Sequence, residues 1–265
     1  MREYWFMKRR VTSFSAFKVM KAWFCCVRRE KAMKKIGLIG GMSWESTTIY
    51  YQLLNRGARE RLGGLHSADL LLRSYDFHYI ERLQTAGDWD GLTQMIIDAG
   101  RELEEAGAEC MLICSNTMHK MASEVQAAVH IPLLHIGDAI AHAIHESSSR
   151  RPLVLATRFV MEQDFYLGYL RERHGISAVV PEKQDRIEVH RVIYEELCRG
   201  KVIEASKQKY MRVIEKAVSD QNAPADGVIF GCTEIGLLMT PEEARFPAFD
   251  TTVLHVNAAL RFAGY

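Results

Sequence analysis

The sequence predicts an α/β protein of two lobes, each a parallel sheet flanked by helices, with a functional cleft between them. Two observations carry that expectation. From Met33 onward, short apolar runs alternate with amphipathic stretches, the pattern of strands joined by crossover helices. The two halves also share a plan. One apolar run ends in "ICSNT" (Ile113 to Thr117) and a later one in "FGCTE" (Phe230 to Glu234), about one small domain apart. Open parallel sheets gather ligands at the carboxyl ends of their strands. Both loops stand at such an end.

The elements follow in order. Apolar runs mark strands at 35–39, 70–74, 110–113, 133–135, 152–155, 177–180, 227–230 and 248–249. Helical periodicity fills the intervals, notably 85–106, stopped by Gly107, then 118–128, and a long span from Arg186 to about Val218. The first 32 residues differ, being basic and aromatic, with Glu3 and Glu30 as their only acids. Lys18 and Lys21 interrupt the apolar core that a signal peptide needs. Residues 1–32 therefore read as an extension outside the fold, and "MKKIGLIGG" at Met33 reads as a chain start.

Composition excludes several classes. A net charge of +1 lacks the basic excess of a nucleic-acid binder. No run reaches the roughly 18–20 apolar residues of a membrane span. Six cysteines without framework spacing read as free thiols in a reducing compartment, which fits a cytoplasmic protein. There is no CxxC pair and no HExxH, and the histidines are scattered, so no metal site is expected. No lysine stands in a pyridoxal phosphate context.

The chemistry concentrates in three loops. "GLIGGMSWEST" (Gly37 to Thr47) is a strand, a glycine turn and a helix start, with Ser43 or Ser46 as cap. Its amides could hold an anion, or it could be a tight turn and nothing more. Cys232 ends an apolar strand beside Gly231 and Thr233. A thiol near helix-start amides has its pKa lowered toward neutrality and can serve as base or nucleophile. In the first loop Ser115, Asn116 and Thr117 offer uncharged donors. Cys114 and Ser115 are adjacent in an extended segment, so only one of them faces a cleft. His119 reads as a structural or capping histidine. Cys25, Cys26, Cys110 and Cys198 carry no local signal and read as bystanders.

Taken together, "GLIGGMSWEST", "RLGGLHSADLLL", "CSNTMHK", "IPLLHIGDA", "MEQDFY" and "GCTEIGLL" resemble the aspartate/glutamate racemase family, in its bacterial broad-specificity amino-acid racemase branch. The resemblance runs from about Met33 to Phe262. It implies two pseudo-symmetric lobes: 33–146, completed by about 246–265, and 147–245. It implies a cofactor-independent racemase acting on a small amino acid, with no nucleic-acid or membrane partner, and it allows a homodimer. One group on each face of the substrate removes or returns the α-proton. Cys232 matches one of these positions. At the other the family reads cysteine before Asn-Thr, whereas here Ser115 stands there and Cys114 is displaced by one.

The same resemblance places Met42, Asn116, Thr117, Thr157 and Thr233 against the substrate, with the Gly40–Gly41 amides on its α-carboxylate. Ala156 departs from the glycine usual before Thr157. Dicarboxylate-selective members carry an arginine and a lysine for the distal carboxylate. Those places fall near Ile80 and Ile187, with Arg73, Arg82, Lys183 and Arg186 close by in sequence, so a neutral or mixed substrate range is expected. A single-cysteine decarboxylase or cis–trans isomerase of small carboxylic acids, and a non-catalytic amino-acid-binding relative, stand as alternatives.

Overall fold

The computed structural model describes residues 33–265. The reading of residues 1–32 as an extension lies outside the described residues. β1 (Ile36–Gly40) is buried along its whole length, as a central parallel strand covered on both faces must be. It lies between β2 (Leu70–Ser74) and β3 (Cys110–Ile113), all parallel, with Ile36 opposite both Leu70 and Cys110. The second sheet repeats the arrangement with β4 (Leu153–Leu155), β5 (Val228–Phe230) and β6 (Ala248–Asp250), again parallel and in that order.

Two expected strands shrink to single bridges. Leu133 pairs with Met111, and Val179 pairs with Leu153. The neighbouring sequence explains the shortening. Pro132 lacks an N–H for the ladder, and His135 already caps the following helix by accepting from Gly137 N at 3.0 Å. Pro181 stands two residues beyond Val179. With these bridges counted, each sheet has its first strand between the second and the third, which is the same winding in both lobes.

The expected helix over 85–106 is broken. α1 (Trp44–Leu62) is followed by α2 (Phe77–Ala86) and α3 (Trp89–Glu105). Gly87 takes a left-handed φ of 74° that ends α2, and Asp88 then caps α3 through Gly91 N at 2.9 Å. The 118–128 helix becomes a 3₁₀ turn (Thr117–Met121) running into α4 (Ala122–Ala128). The span from Arg186 breaks likewise. After α5 (Ile136–Glu146), α6 (Arg158–Glu162) and α7 (Asp164–His174) come α8 (Lys183–Glu195), a 3₁₀ turn, Gly200 at φ 66°, and α9 (Glu204–Val218). Glycine adopts this conformation without steric cost, and periodicity alone does not reveal it.

A short α10 (Ile235–Leu238) follows β5, and α11 (Thr251–Ala263) follows β6. The lobes then exchange helices. α5 follows the first sheet, yet Ile136, Ile140 and Ile144 pack in one cluster with Leu153, Val154 and Phe230 of the second. α11 follows the second sheet, yet Val256, Ala259 and Leu260 pack with Ile36, Leu38 and Tyr50 of the first. The Lys34 amide donates to Ala263 O at 3.0 Å, closing that side. The stretch 246–265 therefore divides at Thr251, with β6 on the second sheet and α11 on the first lobe. Among the described residues, no helix is long and apolar enough to cross a membrane.

Candidate active site

The first loop begins where β3 stops pairing. Cys114 N still donates to Ile39 O at 2.9 Å, and Ser115 N then turns back to Ile113 O at 2.8 Å. The side chains part as strand alternation requires. Cys114 is fully buried with Tyr50, Leu54 and Val256, and burial pushes its thiol pKa up. Ser115 lines the cleft between the loops. Its Oγ accepts from Met118 N at 3.4 Å, which leaves its proton free to point elsewhere.

His119 holds this loop in place. Its Nε2 accepts from Ile136 N at 3.1 Å, so the ring proton sits on Nδ1, 2.7 Å from Ser115 O. Burial lowers its pKa to about 4. His119 is a neutral pin between the loop and the start of α5.

The second loop carries a residue that the sequence reading passed over. Cys232 is buried, and its Sγ donates to Glu234 Oε2 at 2.9 Å. The same oxygen accepts from Thr233 Oγ1 at 2.8 Å. Glu234 Oε1 accepts from Ser46 Oγ at 2.5 Å and from Ser43 Oγ. A carboxylate that is only 2% exposed is held there by uncharged donors, three hydroxyls and the Cys232 thiol. Its charge reverses the expectation for the thiol. The Cys232 pKa is raised well above the ordinary value, first by burial and then by the adjacent Glu234 charge.

Cys198, read as a bystander, also lines this cleft, with its Sγ 3.7 Å from Glu234 Oε1. Its pKa is raised by burial and by the same carboxylate. The signal for Glu234 was present in "GCTE" as an ionisable group two residues beyond the candidate thiol. Its partners Ser43 and Ser46 lie in the distant "GGMSWES" loop, where Ser43 also caps α1.

The remaining predicted residues meet at the same place. Met42, Asn116, Thr117, Thr157 and Thr233 line the cleft together with Ser115 and Cys232. Thr117 Oγ1 and Thr157 Oγ1 stand 2.9 Å apart, joining the two lobes through a hydroxyl pair. Asn116 Nδ2 donates to Thr251 Oγ1 at 2.9 Å. Thr251 spends its own proton on Phe230 O at 2.8 Å, so it accepts from Asn116 and fixes the amide's orientation. Asn116 Oδ1 is consequently a buried acceptor without a partner among the described residues.

The glycine amides behave otherwise than expected. Gly41 N donates to Thr47 Oγ1 at 2.8 Å, and neither Gly40 nor Gly41 lines the cleft. Gly41 is required by the turn, since at φ 81° a Cβ would fall 2.1 Å from Tyr75 O.

No lysine, arginine or histidine lines the cleft among the described residues. Ile80 is fully buried in the first lobe and Ile187 is half exposed on α8. Arg73 pairs with Glu102 at 2.7 Å and Arg186 with Glu162 at 3.0 Å. No group of three or more His, Cys, Asp or Glu side chains is placed to hold a metal ion among the described residues.

This geometry can be set beside known proteins. The family model described as Asp/Glu/Hydantoin racemase matches residues 39–259, which span both lobes and every cleft residue named above. The chain belongs to that racemase family. It is an isomerase of the racemase type. The broad specificity amino-acid racemase RacX of Bacillus subtilis (strain 168) is 20% identical over 222 residues, covering 82% of this chain and 92% of RacX. A Yersinia pestis crystal structure carrying an Asp/Glu racemase assignment is 49% identical with a TM-score of 0.80, covering 87% of this chain and 99% of that one. An aspartate racemase homologue from Pyrococcus horikoshii OT3 is 34% identical with a TM-score of 0.76, covering 88% and 100%. The two-lobed α/β fold is thus the fold of these family members.

Proposed function

We propose that the chain racemises small amino acids without a cofactor, moving the α-proton between the Cys232 face and the Ser115 face of the substrate. One observation carries this reading: a thiol hydrogen-bonded to a buried carboxylate lines the same cleft as a hydroxyl from the opposite lobe.

An α-hydrogen is a very weak acid, so the base must be positioned and the carbanion stabilised. A thiol with a raised pKa is protonated at neutral pH and is idle until its proton leaves. Glu234 Oε2 is at hydrogen-bond distance to take it. The thiolate then removes the α-proton, and the bond's electrons pass onto Cα and its carboxylate. On the other face the Ser115 hydroxyl, or a water bound to it, returns a proton to Cα and is reprotonated from solvent, while Glu234 releases to solvent the proton it took. Serine is far less acidic than a thiol, so the two directions run at unequal rates.

Binding follows from the donors and acceptors. Two hydroxyls that share one hydrogen bond keep one proton free, so the Thr117–Thr157 pair can donate to the α-carboxylate. The unpartnered Asn116 Oδ1 accepts from the α-ammonium. The Thr233 hydroxyl is engaged by Glu234 and contributes through that carboxylate. With no cationic side chain on the cleft among the described residues, a distal substrate carboxylate would be buried unpaired, which favours uncharged side chains.

The test is incubation in deuterium oxide with a panel of L- and D-amino acids, followed by chiral chromatography and mass spectrometry. Both antipodes and one α-deuterium are expected in the product. Loss of the carboxylate would indicate a decarboxylase. Binding without exchange would indicate a non-catalytic relative.

A further inference from the structure

We infer that Gln84 determines substrate specificity, selecting an uncharged amino acid whose side chain carries a carbonyl oxygen, as asparagine and glutamine do. The inference rests on the racemase reading and adds the side-chain end of the cleft to it.

Gln84 lies in the last turn of α2, is 4% exposed and lines the cleft. Its amide orientation is set by two partners. Tyr194 OH, reaching from α8 of the second lobe, donates to Oε1 at 2.9 Å. Met118 Sδ stands 3.5 Å from Nε2 and can only accept. A flipped amide would set an oxygen against that sulfur, so the nitrogen belongs there. A thioether is a weak acceptor, and the second N–H of Gln84 has no partner among the described residues. A buried donor left in this state favours a ligand that supplies an oxygen.

The surroundings choose which oxygen. Phe77 and Ile193 line the same cleft as apolar surfaces, and Phe77 packs against Tyr194 at 6.2 Å between ring centres. The charged side chain on the lining is Glu234, which repels a second carboxylate. A neutral carbonyl satisfies the N–H and adds no charge. An aliphatic side chain of equal size leaves it unsatisfied.

The experiment measures kcat/KM for α-deuterium exchange with two near-isosteric pairs, L-glutamine against L-methionine and L-asparagine against L-leucine, and with L-aspartate. The wild-type protein should favour the amide of each pair by about tenfold, the worth of one buried hydrogen bond, and should favour asparagine over aspartate. In Gln84→Met the amide preference should fall toward one. In Tyr194→Phe, which frees the amide to rotate, it should fall partway, and this variant decides the matter if Gln84→Met does not fold. Equal wild-type rates within the pairs, a preference for aspartate, or a preference untouched by either variant overturns the inference and leaves the racemase reading standing. Absence of exchange with every amino acid sinks both.

Discussion

Cys232 Sγ stands 2.9 Å from Glu234 Oε2, so the candidate catalytic thiol is paired with a negative charge instead of a positive one. The pairing holds the proton on sulfur and provides a nearby place for it to go.

Cys232→Ala removes the only thiol placed against the cleft in the second loop. Exchange at Cα should fall by about a thousandfold or more, the usual worth of a positioned acid–base group. Cys114→Ala should keep most activity and lose about 1 kcal/mol of stability, because Cys114 packs in the first lobe's core. Deuterium exchange and urea unfolding on both variants check this. Equal loss of activity in two folded variants would show that Cys114 serves the cleft.

Glu234→Gln separates charge from shape. The amide can keep hydrogen bonds to Ser43 and Ser46 while the negative charge disappears. Because that charge helps raise the Cys232 pKa, its removal should lower it. The pH midpoint for iodoacetamide labelling of Cys232 should therefore shift down, while exchange falls by about a hundredfold to ten-thousandfold. An upward shift of the midpoint would falsify this account of the pair.

Ser115→Cys places a more acidic group on the opposite face. Deuterium uptake from the slower enantiomer should rise relative to the faster one, since the two faces become more alike. Coupled titration with Cys232 limits the gain. The measurement is uptake from each pure enantiomer, variant beside wild type. An unchanged ratio in a folded variant would make Ser115 a substrate contact and assign proton return to another group.

Acid should destabilise the fold through its buried histidines. Burial lowers the pKa of His119 to about 4 and of His255 to about 3, against about 6.5 in the unfolded chain. The unfolded state therefore binds more protons between these values. The stabilisation is fully present above about pH 6.5 and is lost as pH falls toward the folded values. The slope approaches about 1.4 kcal/mol per pH unit for each histidine. Urea midpoints between pH 7.5 and 4.5 should fall accordingly, and His255→Gln should flatten the curve. Constant midpoints from pH 7 to 5 would contradict it.

Much of the molecule could be read from local pattern. Apolar runs placed all six strands, because a buried parallel strand needs a continuous apolar segment whatever surrounds it. Strand alternation separated Cys114 from Ser115, since adjacent side chains in an extended chain cannot share a face. The family motifs named seven side chains and the Gly40–Gly41 amides, and the fold brings the seven side chains to one cleft but not the two glycines. The breaks at Gly87 and Gly200 escaped, because a helical period continues across a glycine whether or not the backbone turns left-handed there.

The family resemblance anticipated the return of the C-terminal stretch to the first lobe, whereas tertiary structure alone decided the electrostatics and the docking of α5 on the second. Whether the Cys232 pKa moves up or down depends on which charge shares its desolvated space, and Glu234 is held there by serines nearly 190 residues earlier in the chain. Whether Asn116 presents a donor or an acceptor depends on where Thr251 sends its proton. Whether Cys198 is a bystander depends on where a broken helix sets it down. These outcomes follow from burial and long-range contact, which depend on distance in space and leave no local trace in the order of residues.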